Sequence, residues 1–252
     1  MKHIVKQQIL SVIIPTYNEE QTILPLLKKV FAVRKKLVRE LNTDIDVIVV
    51  NDGSTDKTRA VIESYIRHNQ CNPLRLVNKS NEGKGSAVRN GLREAVGNFI
   101  IIQDADLEYS PNDYPRLLAP LLQGWAVTVY GSRFIRQPLL SKQLWAMPLH
   151  FIGNQLLSLT TSVLYGQFIS DIETCYKCFR SDIIQQMTLN SNDFTIEAEI
   201  TAKLLKKGIH IHEVAINYSP RSFKEGKKIT WRHGFRALFA LVKYRMYHDQ
   251  KR

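Results

Sequence analysis

Phe99-Ile100-Ile101-Ile102-Gln103-Asp104-Ala105-Asp106 is an apolar, β-branched run that ends in two carboxylates. Its composition predicts a buried strand. In extended chain, residues i and i+2 point to the same side, so Asp104 and Asp106 can lean toward one ion. Mg²⁺ and Mn²⁺ take oxygen ligands and are often held by only one or two carboxylates, with ligand phosphates completing the shell. By itself such a triplet also suits a solvated loop at a strand end, so its meaning depends on the rest of the chain.

The same pattern recurs upstream. Ile9 to Pro15, Ile45 to Val50 and Leu74 to Val77 read as strands, and amphipathic helical segments separate them. Thr16 or Asn18 is expected to cap the first helix, with Glu19 and Glu20 in its first turn. Ser54 or Thr55 is expected to start the second. The order β-α-β-α-β-α-β defines an α/β, doubly wound parallel sheet. Sites in such sheets lie at the carboxyl ends of the strands. Glu19, Asp52, Asp104 and Asp106 all follow strand ends directly. The loop Asn81-Glu82-Gly83-Lys84-Gly85-Ser86 is neither a Walker loop nor G-x-G-x-x-G, which disfavours ATPase and Rossmann dehydrogenase functions.

The chain has 252 residues, 44% of them apolar, enough to fill the core of one large α/β domain. Net charge is +12. The basic residues thicken after Arg221 and form no RNA- or DNA-binding signature, so no nucleic-acid partner is expected. Cys71, Cys175 and Cys178 read as reduced thiols, because the C-x-x-C lacks the second pair of a zinc site. No signal peptide is visible, and a cytoplasmic location is expected.

Four motifs now stand in order: Val12-Ile13-Ile14-Pro15-Thr16-Tyr17-Asn18-Glu19-Glu20, Asn51-Asp52-Gly53-Ser54-Thr55-Asp56, Asn81-Glu82-Gly83-Lys84-Gly85 and Asp104-Ala105-Asp106. With them the chain resembles the family 2 glycosyltransferases, inverting sugar-nucleotide enzymes of the GT-A fold. It is most similar to the subgroup of dolichyl- and polyprenyl-phosphate mannose or glucose synthases, through Gly131-Ser132-Arg133-Phe134 and the basic segment from Arg221. The resemblance implies transfer of a sugar from a UDP- or GDP-sugar to a polyprenyl phosphate, with a hydroxyl acceptor as the alternative. It further implies that Pro15, Tyr17, Glu19, Asp52, Lys84, Gly85, Asp104, Ala105, Asp106, Arg221 and Lys227 line the nucleotide-sugar site. Asp104, Asp106 and Glu108 are the implied ligands of Mg²⁺ or Mn²⁺. Asp106, Arg133 and Arg221 are the implied catalytic residues, the two arginines as phosphate contacts.

The second half is less explicit. No Asp, Glu, Lys or Arg lies between Lys142 and Asp171, yet polar residues interrupt the stretch, so helices at a membrane interface or packed on the domain are expected rather than a span. Asp171 and Glu173 stand where many family 2 enzymes keep a base. They are expected either to act as one or to orient Lys177 and Arg180. Glu197 and Glu199 read mainly as first-turn charges of a helix. His210 and His212 read as strand surface. From Ile229 to Tyr247 the residues Trp231, Phe235, Leu238, Phe239, Val242 and Met246 form one stripe, flanked by Arg232, Arg236 and Lys243. This predicts a basic amphipathic helix, expected either to lie on anionic lipid or to dock against the domain core. The expected division is a GT-A domain over 1–226 and this helix over 227–252. The expected setting is the cytoplasmic face of a membrane, with a membrane partner protein as a further possibility.

Overall fold

The structure, a computed structural model, describes residues 6–69, 73–135, 148–221 and 231–246; for 148–151 and 231–233 it describes the backbone alone. Cys71, Lys142 and Lys227 therefore lie outside the described residues, as do the side chains of Trp231 and Arg232.

Strands β1 (Gln8–Thr16), β2 (Thr43–Asp52), β3 (Leu74–Lys79), β4 (Phe99–Ile102), β5 (Thr128–Ser132), β6 (Lys177–Arg180) and β7 (His212–Ala215) form one sheet in the order β3-β2-β1-β4-β6-β5-β7. β1 to β4 pair in parallel, and β5 pairs with β7 in parallel. Among the described strands, only β6 runs against its neighbours. The sheet is thus mostly parallel and doubly wound, as the alternation of elements predicts. Ile13, Ile14, Val47, Ile48, Val49, Ile100 and Ile101 are all fully buried. Helices cover both faces of such strands, which is why their sequences are unbroken apolar runs rather than alternating ones.

Helices α1 (Ile23–Leu41), α2 (Thr58–His68), α3 (Lys84–Glu94) and α4 (Tyr114–Leu122) connect the strands of the first half. α1 begins later than the sequence suggests. Thr22 is its N-cap, without a side-chain capping bond, and no acid lies in its first turn. Asn18 instead takes φ +54° and ties to the loop after β2: its N–H donates to Ser54 Oγ at 3.0 Å, and its Oδ1 accepts from Thr55 N at 2.8 Å. The acids at 19 and 20 therefore belong to a site loop and not to a helix dipole. α2 likewise starts three residues beyond Thr55, at Thr58.

Helices α5 (Pro148–Tyr165), α6 (Ser181–Ile184), α7 (Ile196–Lys206) and α8 (Trp231–Met246) belong to the second half. α5 and α8 pack against each other, with Tyr165 OH donating to Leu241 O at 2.7 Å. Among the described residues, no helix is long and apolar enough to cross a membrane.

Candidate active site at the carboxyl ends of the strands

Two chains of alternating charge meet at the end of β4. The first starts from Asp104. Lys84, at the first position of α3, places Nζ 2.8 Å from Asp104 Oδ1 and donates to Oδ2 at 3.0 Å. The same Nζ lies 3.0 Å from Glu197 Oε1. Glu197 Oε2 in turn accepts from Lys177 Nζ at 2.6 Å, and Lys177 is fully buried. The Lys177 ammonium also donates to the carbonyls of Ile172, at 3.0 Å, and Thr174. Burial works against charge on Lys84, but the Asp104 and Glu197 carboxylates outweigh it and hold its pKa well above the usual lysine range.

The second chain starts from Asp106. Its Oδ2 is 3.4 Å from Arg221 Nη2, and Arg221 also faces Glu19, with Nη1–Oε2 at 3.3 Å and Nη2–Oε1 at 3.4 Å. Arg221 N donates to Glu108 Oε1 at 2.8 Å, and Tyr218 OH donates to Glu108 Oε2 at 2.8 Å. Tyr218 presents its ring to Arg133, 5.1 Å from the guanidinium carbon. Arg133 grips Asp171 with a two-pronged bond, Nε–Oδ2 and Nη2–Oδ1 both 2.7 Å. Residue 107 makes the turn between the acids in the left-handed region, with φ +66° at Leu107, an unusual conformation for a branched side chain.

Burial, with Asp104 and Glu108 as like charges, pushes the Asp106 carboxyl up to about 7. The end of β4 is therefore short of positive charge even with Lys84 and Arg221 in place. Oxygen donors with excess negative charge suit a hard divalent cation. Among the described residues, however, no three His, Cys, Asp or Glu side chains gather as a ready metal cage. Asp104 and Asp106 form the pair; the Glu108 carboxylate instead anchors the 218–221 segment.

The remaining residues implied by the resemblance surround this point in different roles. Tyr17 is 37% exposed beside the buried Glu19. Pro15 sits inside β1, opposite Val50. Asp52 has both carboxylate oxygens engaged: Oδ1 accepts from Lys79 Nζ, at the end of β3, at 2.5 Å and from Glu82 N of the glycine loop at 3.0 Å, and Oδ2 from Gly83 N at 2.8 Å. It shapes that loop. A Cβ on Gly85 would meet Ser191 O at 2.4 Å, so the loop seats directly on the 190–193 segment.

Asp171 and Glu173 do not orient Lys177 and Arg180 through contact. Asp171 belongs to Arg133, Lys177 to Glu197, and Arg180 pairs with Asp182 at the surface, at 2.7 Å. Glu173 Oε1 is buried with no hydrogen-bond partner among the described residues. Burial pushes the Glu173 carboxyl up to about 7, against the pull of Lys177 and Arg133. The Glu197–Lys177 pair is the feature that sequence reading missed. A lysine inside Cys175-Tyr176-Lys177-Cys178-Phe179 was a signal for a buried partner carboxylate. Cys175 and Cys178 are free and buried, as expected of structural thiols.

The lower helices carry a second feature. Asn154, Leu157, Ser158 and Thr161 face inward on α5, while Ile152, Leu156, Leu159 and Val163 are 52–77% exposed. α8 repeats this spacing: Phe235, Phe239 and Met246 are 64–70% exposed and Val242 is 37% exposed. Ala237, Ala240, Leu241 and Tyr244 are buried on its other side. Phe235, Phe239, Val242 and Met246 of the predicted stripe therefore point away from the core, while Leu238 packs against it, and α5 adds a parallel exposed row. Arg236, Lys243 and Arg245 are exposed beside them, and neither helix contains an acid.

The mostly parallel sheet thus presents a carboxylate pair at its switch point, flanked by a glycine loop and by the cationic side chains of Lys84 and Arg221. The chain belongs to glycosyl transferase family 2, whose family model matches residues 11–180. It is a glycosyltransferase with the GT-A fold. It is 30% identical over 217 residues to the glycosyltransferase AglJ of Haloferax volcanii, covering 83% of this chain and 63% of that one. It is 27% identical over 219 residues to the dolichyl-phosphate beta-glucosyltransferase of Dictyostelium discoideum, covering 83% and 66%. The chain thus spans about two thirds of the length of these two relatives. Among solved structures, glucosyl-3-phosphoglycerate synthase of Mycobacterium tuberculosis, determined with Mn²⁺, UDP and phosphoglyceric acid, superposes with TM-score 0.68 at 18% identity, covering 96% of this chain and 80% of that one.

Proposed function

We propose that this glycosyltransferase moves a sugar, with inversion, from a UDP- or GDP-sugar to a polyprenyl phosphate at a membrane surface. The observation that carries the lipid acceptor is the reversed amphipathicity of α5, with amide and hydroxyl groups inward and Ile152, Leu156, Leu159 and Val163 outward, beside the outward apolar stripe of α8. A water-soluble acceptor has no use for such a face, whereas a lipid surface does, and the exposed Arg236, Lys243 and Arg245 suit anionic headgroups. The relatives support the reading, since one is a dolichyl-phosphate beta-glucosyltransferase.

Asp104 and Asp106 would hold the divalent cation, Mg²⁺ or Mn²⁺. When bound, it supplies charge neutralisation for the departing nucleoside diphosphate. The protein's own groups do the rest. Arg221 ties the 218–221 segment to Glu19 and Asp106, so it is placed to transfer its guanidinium to a diphosphate. Lys84 stands beside Asp104 with a permanent positive charge. Arg133, held flat by Asp171 and Tyr218, offers a fixed cation for the acceptor phosphate. A phosphate oxygen is already a nucleophile, so attack on the anomeric carbon needs no protein base.

A second reading rests on Glu173. A carboxyl pushed up to about 7, whose Oε1 is buried without a hydrogen-bond partner among the described residues, suits a general base for a hydroxyl acceptor. The test is transfer from radiolabelled donors to a short-chain polyprenyl phosphate or to free sugars. Label in the lipid phosphate supports the first reading; label only in a hydroxyl product supports the second.

A further inference from the structure

Lys84 contacts two carboxylates that face different tasks. Asp104 belongs to the strand end; Glu197 lies on α7 with 3% exposure and is already bonded to the fully buried Lys177. The Lys84 side chain is only 12% exposed. Its hydrogen bond goes to Asp104, while the 3.0 Å contact to Glu197 is an ion pair without aligned hydrogen-bond geometry. A buried ammonium cannot leave Asp104 unless another anion remains beside it, because an unpaired buried charge is strongly unfavourable. Glu197 is that anion.

We propose that Glu197 is a positioning residue that governs how tightly the Asp104–Asp106 pair takes a divalent cation. It shares Lys84 with Asp104 and gives the ammonium somewhere to stay when Asp104 turns to the cation. The Glu197–Lys177 bond fixes the carboxylate in place, so the buried lysine serves the strand end without touching it. The inference rests on the reading that Asp104 and Asp106 hold the cation.

The experiment titrates donor-free protein with Mn²⁺ and follows free Mn²⁺ by electron paramagnetic resonance. Glu197→Gln is expected to raise the Mn²⁺ Kd about tenfold, the scale of one charge-assisted contact. Glu197→Gln leaves Lys177 without its carboxylate and can unfold the protein, so Lys177→Met with Glu197→Met removes the whole pair and carries the same expected loss. Adding Lys84→Met to either background is expected to restore wild-type affinity or better, since the competing ammonium is then gone. A folded Glu197 variant with unchanged Kd overturns the inference. A loss that Lys84→Met does not reverse also overturns it, because Glu197 would then act through general structure. Failure of the wild-type protein to bind Mn²⁺ would instead overturn the cation assignment on which the inference stands.

Discussion

Glu173→Gln separates the two acceptor chemistries and has a magnitude fixed by burial. A carboxyl raised from 4.5 to about 7 keeps its proton in the folded state after the unfolded chain has lost it. Between these two values the folded state binds more protons, so wild-type stability falls as pH rises from about 4.5 to 7 and is level above that. At about 1.4 kcal/mol per unit, ionised Glu173 costs on the order of 3 kcal/mol at pH 8 and under about 1 kcal/mol at pH 5. Glutamine cannot ionise, so the variant should gain about 3 kcal/mol at pH 8. For a chain of this size that raises Tm by about 6–12 °C. Thermal melts of both proteins at pH 5 and pH 8 measure it. An equal Tm difference at both pH values, or a less stable variant at pH 8, would refute the burial argument. Transfer to a lipid phosphate should survive the substitution within a few fold. A loss of about a hundredfold or more, the usual worth of a general base, would contradict the reading that the phosphate acceptor needs no protein base.

Asp106→Asn should abolish transfer while leaving circular dichroism unchanged, and should not lower Tm at pH 8, because it removes a like charge from beside Asp104 and Glu108. Leu159→Ser combined with Phe239→Ser should weaken cosedimentation with anionic vesicles at least about tenfold, since both side chains are more than half exposed and carry apolar area toward the lipid. Unchanged sedimentation would mean that a protein, not a bilayer, covers this face. Gly85→Ala should lower stability by about 1–3 kcal/mol in urea melts and weaken donor binding, because its methyl group would sit 2.4 Å from Ser191 O and lift the glycine loop off the 190–193 segment. Normal stability and donor affinity would mean that the loop shifts freely.

The first half was legible because its signals are local. β-branched runs such as Ile45 to Val50 and Phe99 to Ile102 show strands buried on both faces, and in each an acid follows after one intervening residue. That order places Glu19, Asp52, Asp104 and Asp106 along one end of a parallel sheet. The pairing of side chains was not legible, since it depends on segments far apart in the chain. Arg221 meets Glu19 across 202 positions, and Glu108 meets Tyr218 across 110. Asp52 was legible as an acid at a strand end, but its bond to the loop thirty residues on was not. The stripe on α8 was readable from its spacing, but its direction was not: outward and inward packing produce the same periodicity. Only the small residues Ala237 and Ala240 on the opposite side mark the face that lies close against the protein. The start of α1 was misread because Asn18 and Thr16 suit a cap by type, while the loop after β2 claims Asn18 first.

Transfer to lipid is the central claim, and a mass-spectrometric assay addresses it directly. Purified protein is mixed with anionic vesicles, a short-chain polyprenyl phosphate, Mn²⁺ or Mg²⁺, and a panel of UDP- and GDP-sugars, with and without chelator. The expected result is a glycosyl lipid phosphate from one donor, lost on chelation and restored by the cation. Chelator-sensitive sugar transfer to a hydroxyl acceptor, with no lipid-phosphate product from any donor, would contradict it.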